Sequence, residues 1–170
     1  MPNRVLEPLA AEMTKQLDAS VADVFELMLG MSCVPVEADN SKIDSIKVTI
    51  GFSGSIEGSC RLCLSSDAAR KAMNALMGED PDCGESMVED TARELCNLIV
   101  GGWKSRLPPL EAAAILSVPV AFNGDETDVN PDSLRNVRRL YSFDGNFLLM
   151  ALAIRDSSLN EAFSSYLTTD

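Results

Sequence analysis

A helix with one polar face is predicted by the stretch Ser86-Met-Val-Glu89-Asp90-Thr-Ala-Arg-Glu94-Leu-Cys-Asn97. Ser86 and Glu89 have the S-x-x-E spacing of a capping box, which indicates that the helix begins here. Asp90, Glu94 and Asn97 recur at i, i+4 and i+7, so a helix places all three on one face. The apolar residues of the stretch are expected to face a core. A carboxylate and a carboxamide on one rigid face can together hold a cation and orient a water molecule.

The spacing D-x3-E-x2-N resembles the signature of the CheC/CheX/FliY phosphatases of bacterial chemotaxis. Three segments have the order typical of a CheX-like domain: the glycine-rich residues 50–58, Met-Gly-Glu at 77–79, and Glu-Leu-Cys-Asn-Leu-Ile-Val-Gly-Gly at 94–102, followed by Lys104. The resemblance extends over about residues 5–155 and is closest to the CheX-like members of the family. It therefore implies a CheC/CheX-like fold for most of the chain.

The resemblance also implies a phosphatase that hydrolyses the phosphoaspartate of a CheY-type response regulator. In that role Asn97 would orient the attacking water, and Glu94 would pair with the active-site lysine of the regulator. For Asp90, one turn earlier, we expect a docking or helix-dipole role and no part in the chemistry. The protein would need no metal or cofactor of its own, because Mg²⁺ and the lysine that neutralise the phosphoryl group belong to the regulator. Relatives pair as dimers through their sheets, so a homodimer is expected.

Two hypotheses from other classes remain open. The first is a non-catalytic receiver-binding or flagellar-switch-type adaptor with the same fold. The family signature has a proline about 22 residues after the asparagine, whereas Asn97 and Pro119 are separated by one residue fewer, and residues 108–109 add a proline pair. The second is a structural dimerisation domain that pairs through the hairpin at 137–154. The intact Glu94 and Asn97 pair favours the phosphatase.

A second site is not expected in this chain. Relatives with two sites carry another E-x2-N motif in the N-terminal helix, where this sequence has Glu26 and Leu29. Leucine has no carboxamide, so we expect one site per chain.

Composition limits the other chemistry that is available. The chain of 170 residues contains no histidine, which excludes Ser-His and Cys-His nucleophilic catalysis and histidine-ligated zinc. Its net charge of −12 argues against nucleic acid and anionic membranes as partners, since both favour positive charge. The five cysteines are an odd number, and no apolar leader opens the chain, so we expect reduced thiols and a cytoplasmic protein. Cys60 and Cys63 have a metal-like spacing, but a strand would point them to opposite faces.

The periodicity of the sequence predicts an α+β fold, a largely antiparallel sheet flanked by helices. We expect a single domain over residues 1–170, with its core at about 5–155 and a short tail at 156–170. The predicted elements are a helix at 4–30 with a fresh cap at 20–23, an edge strand at 32–38, strands at 44–52 and 56–64, helices at 65–77 and 87–106, a strand at 115–122, and strands at 137–143 and 146–154.

Overall fold

A computed structural model of the chain describes residues 6–37, 46–54, 56–80, 82–122 and 134–155. Two predictions fall on other residues. The sequence also predicts an acidic loop at 123–136, of which 123–133 lie outside the described part, whereas 134–136 belong to a strand and not to a loop. The tail at 156–170 lies outside the described part entirely. The described α-helices are α1 (Leu6–Val24), α2 (Ser66–Met77), α3 (Glu85–Ser105) and α4 (Pro108–Ala113). A π-helical turn, Phe25–Leu29, continues α1.

Seven strands form one antiparallel sheet in the described part of the chain. They are β1 (Val34–Val36), β2 (Ile46–Gly54), β3 (Gly58–Leu64), β4 (Ala114–Leu116), β5 (Val120–Ala121), β6 (Leu134–Phe143) and β7 (Asn146–Arg155). Their order in the sheet is β1-β6-β7-β3-β2-β4. Strand β5 also pairs with β2, at residues 48–49, whereas β4 pairs with it at residues 52–54. The two hairpins β2–β3 and β6–β7 therefore meet at the centre, where β3 pairs with β7.

The helices lie on one face of this sheet. Residues of alternate positions, such as Val48 and Ile50 in β2, are fully buried in the same core as Leu17 of α1 and Leu95 of α3. The other face carries a smaller apolar cluster that includes Cys63. The predicted α+β fold, an antiparallel sheet flanked by helices, is thus confirmed, and the two cysteines of the metal-like pair lie on opposite faces as predicted.

Short-range signals placed several boundaries correctly. The Ser65 hydroxyl accepts a hydrogen bond from the backbone N–H of Ala68, which caps α2. Asp144 and Gly145 have φ angles of 44° and 77°, as the two-residue turn between β6 and β7 requires. Gly58 is a point of close approach, because a Cβ there would lie 2.3 Å from the carbonyl oxygen of Ala153.

Two predicted element boundaries are wrong. No fresh cap forms at 20–23, since α1 runs through Ser20, whose buried hydroxyl instead donates a hydrogen bond to a carbonyl of α3. The single strand expected at 115–122 is two short strands that flank residues 117–119, and α4 precedes them. Pro119 has no backbone N–H to offer a sheet ladder, which explains the interruption.

The proposed dimerisation edge is covered only in part. In the hairpin that contains residues 137–154, β7 is paired to β3, whereas β1 pairs with β6 at residues 140–142 alone. Among the described residues, no strand pairs with the outer edge of β6 at 134–139. The prediction that Pro35 lies on an edge strand is confirmed, because β1 ends the sheet. The homodimer itself stays a prediction.

Candidate functional site

The candidate site lies on the outer face of α3. Its inner face is buried against the core through the following residues: Val88, Thr91, Ala92, Leu95, Cys96, Ile99, Val100 and Trp103. Asp90, Glu94 and Asn97 are all exposed, as the i, i+4, i+7 spacing predicted. The helix therefore presents a carboxylate and a carboxamide one turn apart on one accessible surface.

Contacts with α1 hold α3 in place. The Ser20 hydroxyl donates to the carbonyl oxygen of Ile99 at 2.7 Å, and both groups are buried. The indole Nε1–H of Trp103 donates to the carbonyl oxygen of Met13 at 3.0 Å. An ion pair between Arg106 and Asp23 adds a third link near the end of the helix. All three links lie on the C-terminal side of Asn97, where they join α3 to α1.

The predicted capping box does not form. Helix α3 begins at Glu85, with Gly84 at the N-cap position and no side-chain hydrogen bond at the cap, so Ser86 lies within the first turn. Glu89 forms an ion pair with Arg93 one turn later instead of returning to the helix start. A full positive charge at i+4 is a stronger partner for a carboxylate than a solvated backbone N–H.

Asp90 is engaged by the same arginine. The Arg93 Nη1 atom lies 2.8 Å from Asp90 Oδ1, and the Asp90 side chain is 68% exposed. Its carboxylate is thus shared between Arg93 and solvent. A docking role for Asp90 stays a prediction, and any partner cation would compete with Arg93 for this carboxylate.

Glu94 and Asn97 differ from Asp90 in having no such partner. Within the described part of the chain, neither side chain forms a hydrogen bond or an ion pair. Their Cβ atoms are about 5–6 Å apart for residues at i and i+3 of a helix. Both functional groups are consequently available to another molecule at the same time.

The neighbouring thiol is not part of this surface. Cys96 is buried on the inner face of α3, and burial, followed by the nearby Cys63 thiol, raises its pKa to about 12. It stays protonated near neutral pH, whereas a thiolate is the nucleophilic form. All five cysteines are buried, and none forms a disulfide within the described part of the chain.

An open depression in the described part of the chain lies away from the predicted site residues. An open depression of about 420 Å³ is lined by Arg70, Asn74, Glu79 and Asp80, and none of the three predicted site residues reaches it. Among the described residues, no three histidine, cysteine, aspartate or glutamate side chains are grouped as metal ligands would be. The exposed motif on a helix surface suits a macromolecular substrate better than a small molecule held in a pocket.

The position equivalent to a second site contains no carboxamide. Glu26 is exposed in the π-helical turn, but Leu29 is buried in the core with 7% of its surface accessible. One feature of the first site was not used in the sequence reasoning: Arg93, which binds both Glu89 and Asp90. The (i, i+3) and (i, i+4) spacing of Arg93 from those carboxylates was a visible signal.

Comparison with known proteins identifies the family of this chain. Residues 46–139, more than half of the sequence, match the family model described as chemotaxis phosphatase CheX. The chain belongs to the CheX family. This confirms the predicted relationship to the CheC/CheX/FliY proteins, and the matched segment includes the whole of α3.

Solved structures of CheX and related proteins have the same fold. CheX from Vibrio vulnificus has a TM-score of 0.71 and 20% identity, over 86% of this chain and 98% of that chain. CheX from Borrelia burgdorferi, in a complex with CheY, BeF3 and Mg, has a TM-score of 0.65 and 18% identity, over 85% and 98%. FliY from Thermotoga maritima has a TM-score of 0.67 and 14% identity, over 99% and 98%.

Two further findings concern this CheX-family chain, one from a comparison and one from its helices. A comparison with curated protein sequences finds no significant match. Within the described residues, no helix has both the length and the apolar character needed to cross a membrane.

Proposed function

We propose that this CheX-family protein dephosphorylates the phosphoaspartate of a CheY-type response regulator, with Asn97 orienting the attacking water and Glu94 docking the regulator. The observation that carries the proposal is the exposed and unengaged Glu94 and Asn97 pair on a helix whose other side is buried. The description of the family as chemotaxis phosphatases supports the reaction. The Borrelia CheX complex with CheY supports the class of partner.

The chemistry asks little of the phosphatase beyond position. In phosphoryl transfer to water, the attacking and leaving oxygens lie in line, and charge is neutralised mainly by cations around the phosphoryl group. In a response regulator these cations are its own Mg²⁺ and lysine. A water must still be held on the correct side of the phosphorus atom, and orientation of this kind lowers a barrier by several kcal/mol at about room temperature.

Asn97 has the functional groups for this task. The carbonyl oxygen of its carboxamide accepts a hydrogen bond from the water, and its NH₂ group donates to a phosphoryl oxygen. Glu94 can only accept when ionised, so its role is to bind the lysine ammonium of the regulator. Because one rigid helix carries both side chains, docking at Glu94 places Asn97 at a defined distance from the phosphorus.

The test is phosphate release from a CheY-type regulator loaded with acetyl phosphate in Mg²⁺. We expect the wild type to accelerate release and Asn97→Ala to reduce that acceleration by about 100-fold, because the water is no longer oriented. Asn97→Ala should fold normally, with a free energy of unfolding higher by up to about 0.7 kcal/mol from helix propensity. Glu94→Ala should raise the KM for the regulator by about tenfold through loss of a charge pair.

Asn74→Ala serves as the matched control. It removes the same carboxamide from the partly exposed surface of α2, so it should keep wild-type activity. Binding of the BeF3-activated regulator to the wild type, without faster phosphate release, would contradict the phosphatase proposal and support the adaptor. Full activity of Asn97→Ala would remove the assigned role of that residue.

A further inference from the structure

Gly101 lies on the face of α3 that carries the motif. It follows Glu94 by seven residues and Asn97 by four, so helical geometry places it beside both of them. A Cβ built at this position would have no described atom within 4 Å. Glycine is the least favourable residue except proline inside a helix. No packing contact of the described chain therefore accounts for glycine at 101.

The adjacent glycine has a different explanation. A Cβ at Gly102 would lie 2.6 Å from the Ser20 hydroxyl oxygen, so the close approach of α1 requires the missing side chain there. Position 101 is rotated around the helix axis away from that contact, onto the face that carries Glu94 and Asn97. The two neighbouring glycines thus differ: the contact with α1 explains Gly102, whereas no described neighbour explains Gly101.

The remaining neighbours of Asn97 also leave space around it. Four residues before it, Arg93 is drawn back along the helix by its ion pairs with Glu89 and Asp90. Three residues after it, Val100 is buried. On this side of the helix Asn97 therefore stands between a tethered arginine and a residue with no side chain.

We propose that position 101 is glycine because the regulator must approach α3 closely at this point. Only then can the Asn97 carboxamide reach the phosphoryl group of the regulator. This inference rests on the proposed phosphatase function. Extended covalent geometry gives the asparagine carboxamide a reach of roughly 3.5 Å beyond its Cα. A longer side chain at i+4, with its Cβ about 5–6 Å from that of Asn97, would meet the partner first. Gly101 is thus a positioning residue that sets the depth of insertion.

The test is a series of increasing side-chain size, Gly101→Ala and Gly101→Leu. Because alanine and leucine are good helix formers and the site is open, both variants should raise the Tm by about 2–4 °C. Phosphate release from the Mg²⁺-bound regulator should fall with size, by about 100-fold for Gly101→Leu if the carboxamide is displaced by 1 Å. Affinity for the BeF3-activated regulator should fall in the same order.

The matched control is Ala75→Leu, which adds a leucine side chain to an exposed position of α2. It should leave phosphate release and regulator binding at the wild-type level. If Gly101→Leu keeps wild-type rate and affinity, the inference is overturned while the phosphatase proposal stands. If the wild type binds the activated regulator without accelerating release, the phosphatase proposal fails, and the affinity series alone decides whether Gly101 controls approach. Should Gly101→Leu not fold, Gly101→Met, which adds a longer unbranched side chain and is also a good helix former, gives the same decision.

Discussion

Replacing Gly102 by alanine is expected to destabilise the protein, although alanine is the better helix former. The new Cβ would lie 2.6 Å from Ser20 Oγ, so the hydroxyl must move. That hydroxyl donates the buried hydrogen bond to the carbonyl oxygen of Ile99. The substitution therefore exchanges a gain in local helix propensity for the loss of a contact between α1 and α3.

The magnitude follows from two opposing contributions. Alanine in place of glycine inside a helix stabilises by about 1 kcal/mol. A buried hydroxyl that loses its hydrogen bond costs about 1–3 kcal/mol. The free energy of unfolding should consequently fall by up to about 2 kcal/mol, which is a large share of the stability of an ordinary domain. Gly101→Ala has no opposing contribution and should raise the free energy of unfolding by about 1 kcal/mol.

A double-mutant cycle with Ser20→Ala isolates the contact. Without the hydroxyl, a Cβ at Gly102 has the Ser20 Cβ at 3.7 Å, which is an ordinary packing distance. In this background Gly102→Ala should stabilise by about 1 kcal/mol, giving a coupling energy of about 1–3 kcal/mol. Urea unfolding can be followed by the fluorescence of Trp103, the single tryptophan, which is buried in α3.

The cycle has a clear refuting result. With a urea dependence of about 2 kcal/mol per M, a loss of 1 kcal/mol lowers the unfolding midpoint by about 0.5 M, which is readily measured. If Gly102→Ala destabilises equally with and without the Ser20 hydroxyl, that hydroxyl is not the group that requires glycine. The separation of the roles of the two neighbouring glycines would then lose its structural basis.

Two more predictions concern stability. Asp18 accepts hydrogen bonds from Arg139 at 2.7 and 2.9 Å and from the Tyr141 hydroxyl at 2.8 Å, which joins α1 to β6. Asp18→Ala should therefore lower the free energy of unfolding by about 1–3 kcal/mol. Urea titrations measure this change, and an unchanged unfolding midpoint would contradict the prediction. Burial raises the thiol pKa of Cys60 and Cys96 above the ordinary value of 9.0. Each thiol therefore holds its proton more tightly in the folded chain, and stability should be lost as pH rises above 9, by at most about 1.4 kcal/mol per pH unit and thiol. Urea unfolding measured from pH 8 to 11 should show that the free energy of unfolding decreases less steeply with pH for Cys96→Ala than for the wild type. An equal slope would contradict the raised thiol pKa of Cys96.

Several features of the fold could be predicted from the sequence because they depend on residues that are close together in the chain. The positive φ angles at Asp144 and Gly145 are those that an Asp-Gly hairpin turn adopts, so this hairpin was predictable from two letters. Helical spacing likewise predicted that Asp90, Glu94 and Asn97 share an exposed face. These features depend on interactions within a few residues, which a sequence displays directly.

Other features depend on residues that are distant in sequence. The sequence predicts that Ser20 caps a helix, but its hydroxyl donates a hydrogen bond to the carbonyl oxygen of Ile99, 79 residues away. The short strand β1 adds to β6 at residues 140–142, although about 100 residues of chain separate the two strands. The order of strands depends on which apolar faces can be buried together, and the local sequence pattern of each strand does not predict that order.

The features of the candidate site likewise fall into those that the sequence predicts and those that depend on the tertiary structure. The sequence by itself determined which residues carry the carboxylate and the carboxamide and that one helix face presents both. Only the tertiary structure decided that Glu94 and Asn97 are unengaged while Asp90 is paired with Arg93. Only it distinguished Gly101, which faces open space, from Gly102, which meets α1. The physical reason is that a side chain's availability depends on what packs beside it in space, whereas its face on a helix depends on spacing alone.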